Sequence, residues 1–367
     1  MATPDTIPLA ELLAPIPGDA PAGTSLRADT SAGSLYYAIK DARAAARATE
    51  RAASQLGDLE AAGPADWDPV LELAPRLLRE RAKDLEITAW YIEALVRRRD
   101  FAGLRDGFKL ARGLIEAFWD QLHPMPDEDG MATRMAPLTG LNGDESEGTL
   151  IVPIGLVMLT ERTDHGQFST WHYQQSNELA RLSDQTQRDQ RVAAGAKPLE
   201  TVVAAVAATS IDFLRARRED LAQCIAEFDL LTRALDTRAG ANAPPSSSIR
   251  AALDRAQEAM SFLTKGVLDI PAAQAPAAEG TTVGAAQGGQ AERFSGAVQS
   301  REEALRALAQ IAEFFRRTEP HSPVPYGIER AVRWAGMPLP TLLEELIPDA
   351  TARSEFQKLT GVQLSTS

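Results

Sequence analysis

The sequence predicts an all-α protein built from antiparallel helical bundles, and three observations carry that prediction. Alanine is abundant while aromatic residues make up only 6% of the 367 residues, a balance that favours helix. Apolar residues recur at three- and four-residue spacing through most of the chain. Start and stop signals such as Asp84, Ser210 and Pro124 bracket those periodic stretches.

The chain opens with Pro4, Pro8, Pro15, Pro17, Gly18, Pro21 and Gly23, a spacing that forbids a long helix and reads as an extended arm. Within it, Leu9, Leu12 and Leu13 are placed to dock as one helical turn. Leu35 to Ala53 reads as a helix with Tyr36, Ile39, Ala42 and Ala46 inward. A polar loop with Gly57, Gly63 and Pro64 precedes three further helices. Asp66 or Asp68 caps the first, which carries Val70, Leu73, Leu77 and Leu78 and should kink at Pro75. Asp84 caps the second, burying Leu85, Ala89, Ile92, Leu95 and Val96. The third carries Phe101, Leu104, Phe108, Ala111, Ile115 and Phe118 until Pro124 stops it. Short connections make these antiparallel neighbours.

The middle is expected to be helical after a short, strand-like apolar piece from Leu150 to Leu159, which Pro153 and Gly155 interrupt. Ser210 caps a long helix through Phe213, Leu221, Phe228 and Leu235 to Gly240. After Pro244 and Pro245, Ser246 or Ser247 caps another with Ile249, Leu253, Ala256 and Met260. Between Pro271 and Gly296 the composition shifts to Ala, Gly, Gln, Pro and Thr, which reads as a flexible linker. As a coil its ends would lie on the order of 25–30 Å apart.

Three short helices are expected after the linker. Ser300 and Glu303 make a capping box, and Leu305, Leu308, Ile311, Ala312 and Phe315 share one face. Pro320 ends this helix after Glu319, Ser322 caps the next, and Pro323 takes its first position. Ile328, Ala331, Val332 and Ala335 form the second apolar face, with Gly336 suited to a left-handed residue beyond it. The third helix carries Leu342, Leu343, Leu346 and Ile347. Fewer than 70 residues follow Ser300. A core of that size supplies only ~3–5 kcal/mol. Self-association would hide Phe314, Phe315, Trp334 and the leucine row; packing against the rest of the chain is the other outcome. The expected domains are therefore 1–149, 150–270, the linker 271–296, and an oligomerisation domain at 297–367.

Composition narrows the function. A formal net charge of −13 and a pI near 4.9 argue against nucleic acid or an anionic membrane as the main partner. The single cysteine, Cys224, fits a reducing compartment, and no apolar run reaches the ~20 residues of a spanning helix. No signal peptide is read at the N-terminus, so a cytoplasmic protein without membrane insertion is expected. Chemistry is poorly supported. Asp127-Glu128-Asp129-Gly130 lacks the alternating ligands and distal Glu of a calcium loop, and Asp144-Glu145-Ser146-Glu147 does no better. His123, His165, His172 and His321 stand at no zinc spacing from one another or from Cys224. Trp171-His172-Tyr173 reads as an aromatic anchor for a helix, and no phosphate, dinucleotide or hydrolase motif is present. No catalytic, cofactor or metal residue is assigned.

Two windows carry a family resemblance. One holds Asp66-Trp67, Lys83-Asp84-Leu85, Ala89-Trp90, Glu93-Ala94-Leu95, Phe118-Trp119-Asp120, Leu122-His123-Pro124 and Arg134. The other holds Ser300 to Ala304, then Glu319-Pro320-His321-Ser322-Pro323, Arg330-Ala331 and Met337-Pro338. In this order they resemble the ImpA/TssA family of the type VI secretion apparatus. Members often carry an acidic residue before Leu-Arg, where this chain has Ser25-Leu26-Arg27. The resemblance implies a non-enzymatic scaffold that forms a ring-like, high-order homo-oligomer of itself. It also implies contacts with baseplate subunits, the inner-tube protein, sheath proteins and the spike. A low-order helical adaptor or chaperone, and a metal-dependent enzyme using the acidic loops, are the alternatives.

Overall fold

The computed structural model describes residues 2–55, 65–268, 301–318 and 324–347, with Asp349 and Arg353. Among them every regular element is a helix, and only isolated β-bridges occur besides. The chain divides into two compact units, Met1–Pro276 and Ala277–Ser367.

In the first unit, α1 (Leu9–Leu13), α2 (Leu35–Gln55) and α3 (Asp68–Glu80) lead into α4 (Leu85–Phe118). Then come α5 (Met131–Asn142), α6 (Ile151–Leu156), α7 (Thr170–Arg181), α8 (Gln185–Ala193) and α9 (Leu199–Ala208). The long α10 (Ile211–Ala239) and α11 (Ser247–Thr264) complete it. α4 is the hub, because α1, α3, α5, α6 and α10 all pack on it.

Its sequence explains why one stretch makes two arms. Asp84 starts α4 by accepting the amides of Glu86 and Ile87. Arg99 and Asp100 leave helical geometry, with Asp100 at φ +53°, and the chain folds back on itself. The two arms lie so close that a Cβ on Gly107 would stand 2.7 Å from Ile92. Fully buried Trp67, Phe101 and Phe108 anchor the core here. Each is worth roughly 1.5–3 kcal/mol by burial. α10 runs along the hairpin, setting Phe228 against Phe108 at 5.0 Å between rings, and buries Cys224 at the same interface.

The expected N-terminal arm is present and is held by its backbone. Asp220 accepts the Thr3 amide and hydroxyl at 2.7 and 2.6 Å, and Asp106 accepts the Thr6 amide. Arg105 donates to the Thr3 and Pro4 carbonyls at 2.8 and 3.2 Å. Arg105, Asp106 and Asp220 are all buried, so the strap covers a charged seam between α4 and α10.

Three local expectations change. The apolar Leu150–Leu159 piece is not strand-like but contains the short helix α6; Pro153 lies in its first turn, where no donor is needed. α3 continues through Pro75 to Glu80, and Asp66 caps from one residue outside by accepting the Asp68 amide at 3.1 Å. Ser246 precedes α11 without a side-chain cap, because Asn142 takes the Ile249 amide instead. Gly336 is not left-handed; its amide closes a tight turn on the Arg333 carbonyl.

The second unit contains α12 (Arg301–Thr318), α13 (Val324–Ala335) and α14 (Leu339–Leu346), in the expected order. Ala312 and Leu343 are buried, while Ile311, Tyr326 and Leu346 are exposed at 39, 64 and 49%. Ion pairs link the helices: Arg316 to Glu329 and Arg333 to Glu345.

Candidate functional site

A concave surface of the first unit follows one face of the first arm of α4. Glu86, Trp90, Glu93, Arg97 and Asp100 recur along that face at three- and four-residue spacing. α2 borders it with Arg43, Arg47 and Arg51, one per turn, and α5 and α6 border it with apolar side chains.

Three charged clusters fix the floor. At one end Arg27 pairs with Asp84 at 3.1 Å and with Glu86, which also accepts from the Tyr36 hydroxyl at 2.9 Å. Burial, with Glu86 beside it, pushes the Tyr36 hydroxyl up to about 12. In the middle, fully buried Glu93 receives Arg43 and, at 3.0 Å, Arg47. A buried carboxylate of this kind requires such partners, since desolvation otherwise opposes its charge. At the far end Arg97 grips Glu50 with two bonds, 2.6 and 2.9 Å, and lies 4.3 Å above the Trp67 ring. Trp67 donates to the same Glu50 at 2.8 Å.

Two clefts open along this face. The first, of 710 Å³, lies beside Arg27, Trp90, His123 and Met125; the second, of 510 Å³, lies beside Trp67, Arg97, Val152 and Met158. Thr149 lines both, and its hydroxyl has no hydrogen-bond partner. Met125 and Val152, one in each cleft, are each 45% exposed.

The residues singled out by the N-terminal motif support this surface from below. Lys83 is completely buried and donates to the Leu12 and Leu78 carbonyls at 2.7 and 2.9 Å. Burial lowers its ammonium from 10.5 to about 8. Asp84 caps α4 and holds Arg27, and the flanking backbone pairs with His123. Trp119 is covered by Arg134, which also donates to its carbonyl at 2.9 Å, while Asp120 is exposed nearby. Trp67 lines the second cleft, while Lys83 and Trp119 line neither. The acidic loop closes on itself: Asp127 accepts from Thr133 and the Asp129 amide, and the Thr133 bond holds its carboxyl below the ordinary range. Among the described residues no group of three His, Cys, Asp or Glu is arranged to hold a metal.

In the second unit Leu305, Leu308, Trp334 and Leu342 are half-buried and Ile311 is exposed. Trp334 donates to Glu345 at 3.0 Å. The side chains of Phe314 and Phe315, and Glu319, Pro320, Ser322 and Pro323, lie outside the described residues, as does the Ser300–Glu303 box.

Sequence reasoning did not single out Arg43, Arg47, Glu50 or Arg97, nor a special role for Glu93. A signal existed: Glu93 interrupts Trp90-Tyr91-Ile92 and Ala94-Leu95-Val96, an apolar run in which a carboxylate needs a cation. The arginines at four-residue spacing on α2 are that cation supply. The clefts present apolar walls and ion-paired guanidinium groups over two buried tryptophans.

Comparison with known proteins agrees with the sequence motifs. Residues 13–143 match the family model described as ImpA, N-terminal, type VI secretion system. The chain is 28% identical over 356 residues to the type VI secretion system component TssA1 of Pseudomonas aeruginosa, covering 95% of this chain and 97% of that protein. A solved structure, the N-terminal domain including the conserved ImpA_N region of the TssA component from Burkholderia cenocepacia, is similar with a TM-score of 0.59. That likeness has 27% identity and covers 72% of this chain and 98% of the other.

Proposed function

We propose that the chain, similar to the ImpA/TssA components of type VI secretion, is a non-enzymatic scaffold of that secretion apparatus. In this reading the second unit closes copies into a ring-like homo-oligomer. The first unit then presents its groove to the baseplate and helps to prime the inner tube and contractile sheath, with baseplate, tube, sheath and spike proteins as partners in the cytosol.

The observation that supports assembly most directly is the surface of the second unit. Its helices bury Ala312 and Leu343 but leave Ile311, Tyr326 and Leu346 in solvent. A small helical unit in that state gains stability by covering those side chains with another copy. Several first units held by one ring would also raise the effective concentration of weak contacts.

Mass photometry of the full-length protein tests the proposal. A single high-mass species containing many subunits is expected. A monomer or dimer at micromolar concentration would remove the ring and favour the low-order adaptor.

A further inference from the structure

The strap over α4 and α10 is fastened differently from everything beneath it. Among the described residues, no backbone–backbone hydrogen bond ties residues 2–6 to another element. Side chains hold the segment instead. Asp220 and Asp106 accept the Thr3 and Thr6 amides, while Arg105 and Arg99 donate to the Thr3, Pro4 and Thr6 carbonyls. Thr3, Pro4 and Asp5 are exposed, and Ile7 is the one buried apolar side chain of the stretch. A segment with little buried apolar surface and bonds open to water opens at lower cost than a core helix.

The floor does not depend on the strap for its charge balance. The side chains of Arg105, Asp106 and Asp220 are 3, 0 and 5% exposed. Arg105 donates to Asp106 at 2.8 Å and to Gln223 at 3.1 Å, and it lies 3.6 Å from Asp220. These partners stay in place when the strap lifts, so lifting does not strand a buried charge. The strap's own carboxylate, Asp5, stands 3.1 Å from Lys109 and 3.6 Å from Arg105, and its side chain is 52% exposed. Salt reaches and screens that pair.

We propose that residues 2–7 are an electrostatic latch that opens and recloses while the bundle stays folded, with ionic strength setting the closed population. Opening frees the Arg105 donors filled by the Thr3 and Pro4 carbonyls, together with both Asp220 oxygens that hold Thr3. The α4–α10 seam then changes from a covered surface to an open polar one. The device is independent of the scaffold reading, because it uses contacts within the first unit alone.

Hydrogen exchange read by mass spectrometry on the full-length protein tests this, comparing the peptic peptide of residues 1–12 with peptides from Leu85–Val96. At 50 mM NaCl the strap amides should be protected, but at least a hundredfold less than the α4 amides. Raising NaCl to 500 mM should lower strap protection two- to threefold and leave α4 unchanged. Asp5→Lys, at an exposed position, should lower it at least fivefold at 50 mM NaCl with unchanged helix content by circular dichroism. Salt should then raise strap protection in that variant, since it now screens a repulsion from Lys109 and Arg105. Strap amides without protection, or protected equally with α4, would overturn the latch. So would wild-type strap protection in Asp5→Lys, or a salt response of the same sign in both proteins.

Discussion

Asn142 caps α11 from α5: its side-chain oxygen accepts the amide of Ile249, 107 residues along the chain, at 2.9 Å, where Ser246 makes no cap of its own. Both groups are buried, so the bond joins α5 to α11 without competition from water. Asn142→Ala should lower stability by about 1–3 kcal/mol. Ser246→Ala should stay within about 0.5 kcal/mol of wild type. Urea unfolding of both variants checks the pair, and equal costs would refute the assignment.

The strap over α4 and α10 gives a second prediction. Asp220→Ala removes the acceptor of the Thr3 amide and hydroxyl and leaves Arg105 with Asp106 as its close buried partner. Breaking a buried pair of this kind costs on the order of 3 kcal/mol. Cys224 lies one turn after Asp220 and is the chain's one thiol, completely buried. Burial also pushes its ionisation up, which slows labelling further. Its reaction with a thiol reagent should accelerate several-fold in Asp220→Ala; unchanged labelling would show that the strap does not guard this seam.

Lys83 sets a pH dependence. Its ammonium titrates at about 8 in the folded chain against an ordinary 10.5, so between those values the unfolded chain holds the extra proton. The desolvation cost is fully present below pH 8 and is relieved as pH rises towards 10.5. A neutral amine still carries two N–H groups for the Leu12 and Leu78 carbonyls. The stability of wild type minus that of Lys83→Met should therefore rise with pH, by about 1–2 kcal/mol from pH 7.5 to 9.5. Taking the difference cancels the opposing trend from buried Tyr36, Tyr91 and Cys224, whose ionisations are raised. A flat or falling difference would contradict the assignment.

In the second unit, Ile311 offers the sharpest test of assembly. It is exposed within its own unit, so Ile311→Asp should leave the helix content of the protein unchanged. The proposed ring contact predicts a drop in particle mass by mass photometry. Wild-type mass in that variant would exclude this face of α12 from the interface.

The legible part of this molecule was its local grammar. Asp84 and Ser210 were readable as caps and act as caps, because a side-chain oxygen answers an amide two or three residues away. The apolar spacing of Leu85 to Val96 and of Phe101 to Phe118 marked the buried faces of both arms of α4. The groove was not legible in the same way. It depends on Glu93 meeting Arg43 and Arg47 across about 50 residues, and on Glu50 meeting Arg97 and Trp67.

The sequence by itself determined that the chain is helical, where most of its helices begin and end, and which apolar faces turn inward. Those outcomes rest on propensity, periodicity and capping, whose physics acts within a few residues. Only the tertiary structure decided that Asn142 rather than Ser246 caps α11, that residues 3–6 lie strapped across Arg105 and Asp220, and that the arginines of α2 border a groove. Each of these pairs charged or polar groups far apart in the chain. Burial makes such pairing obligatory, but only the packing of the helices chooses the partners.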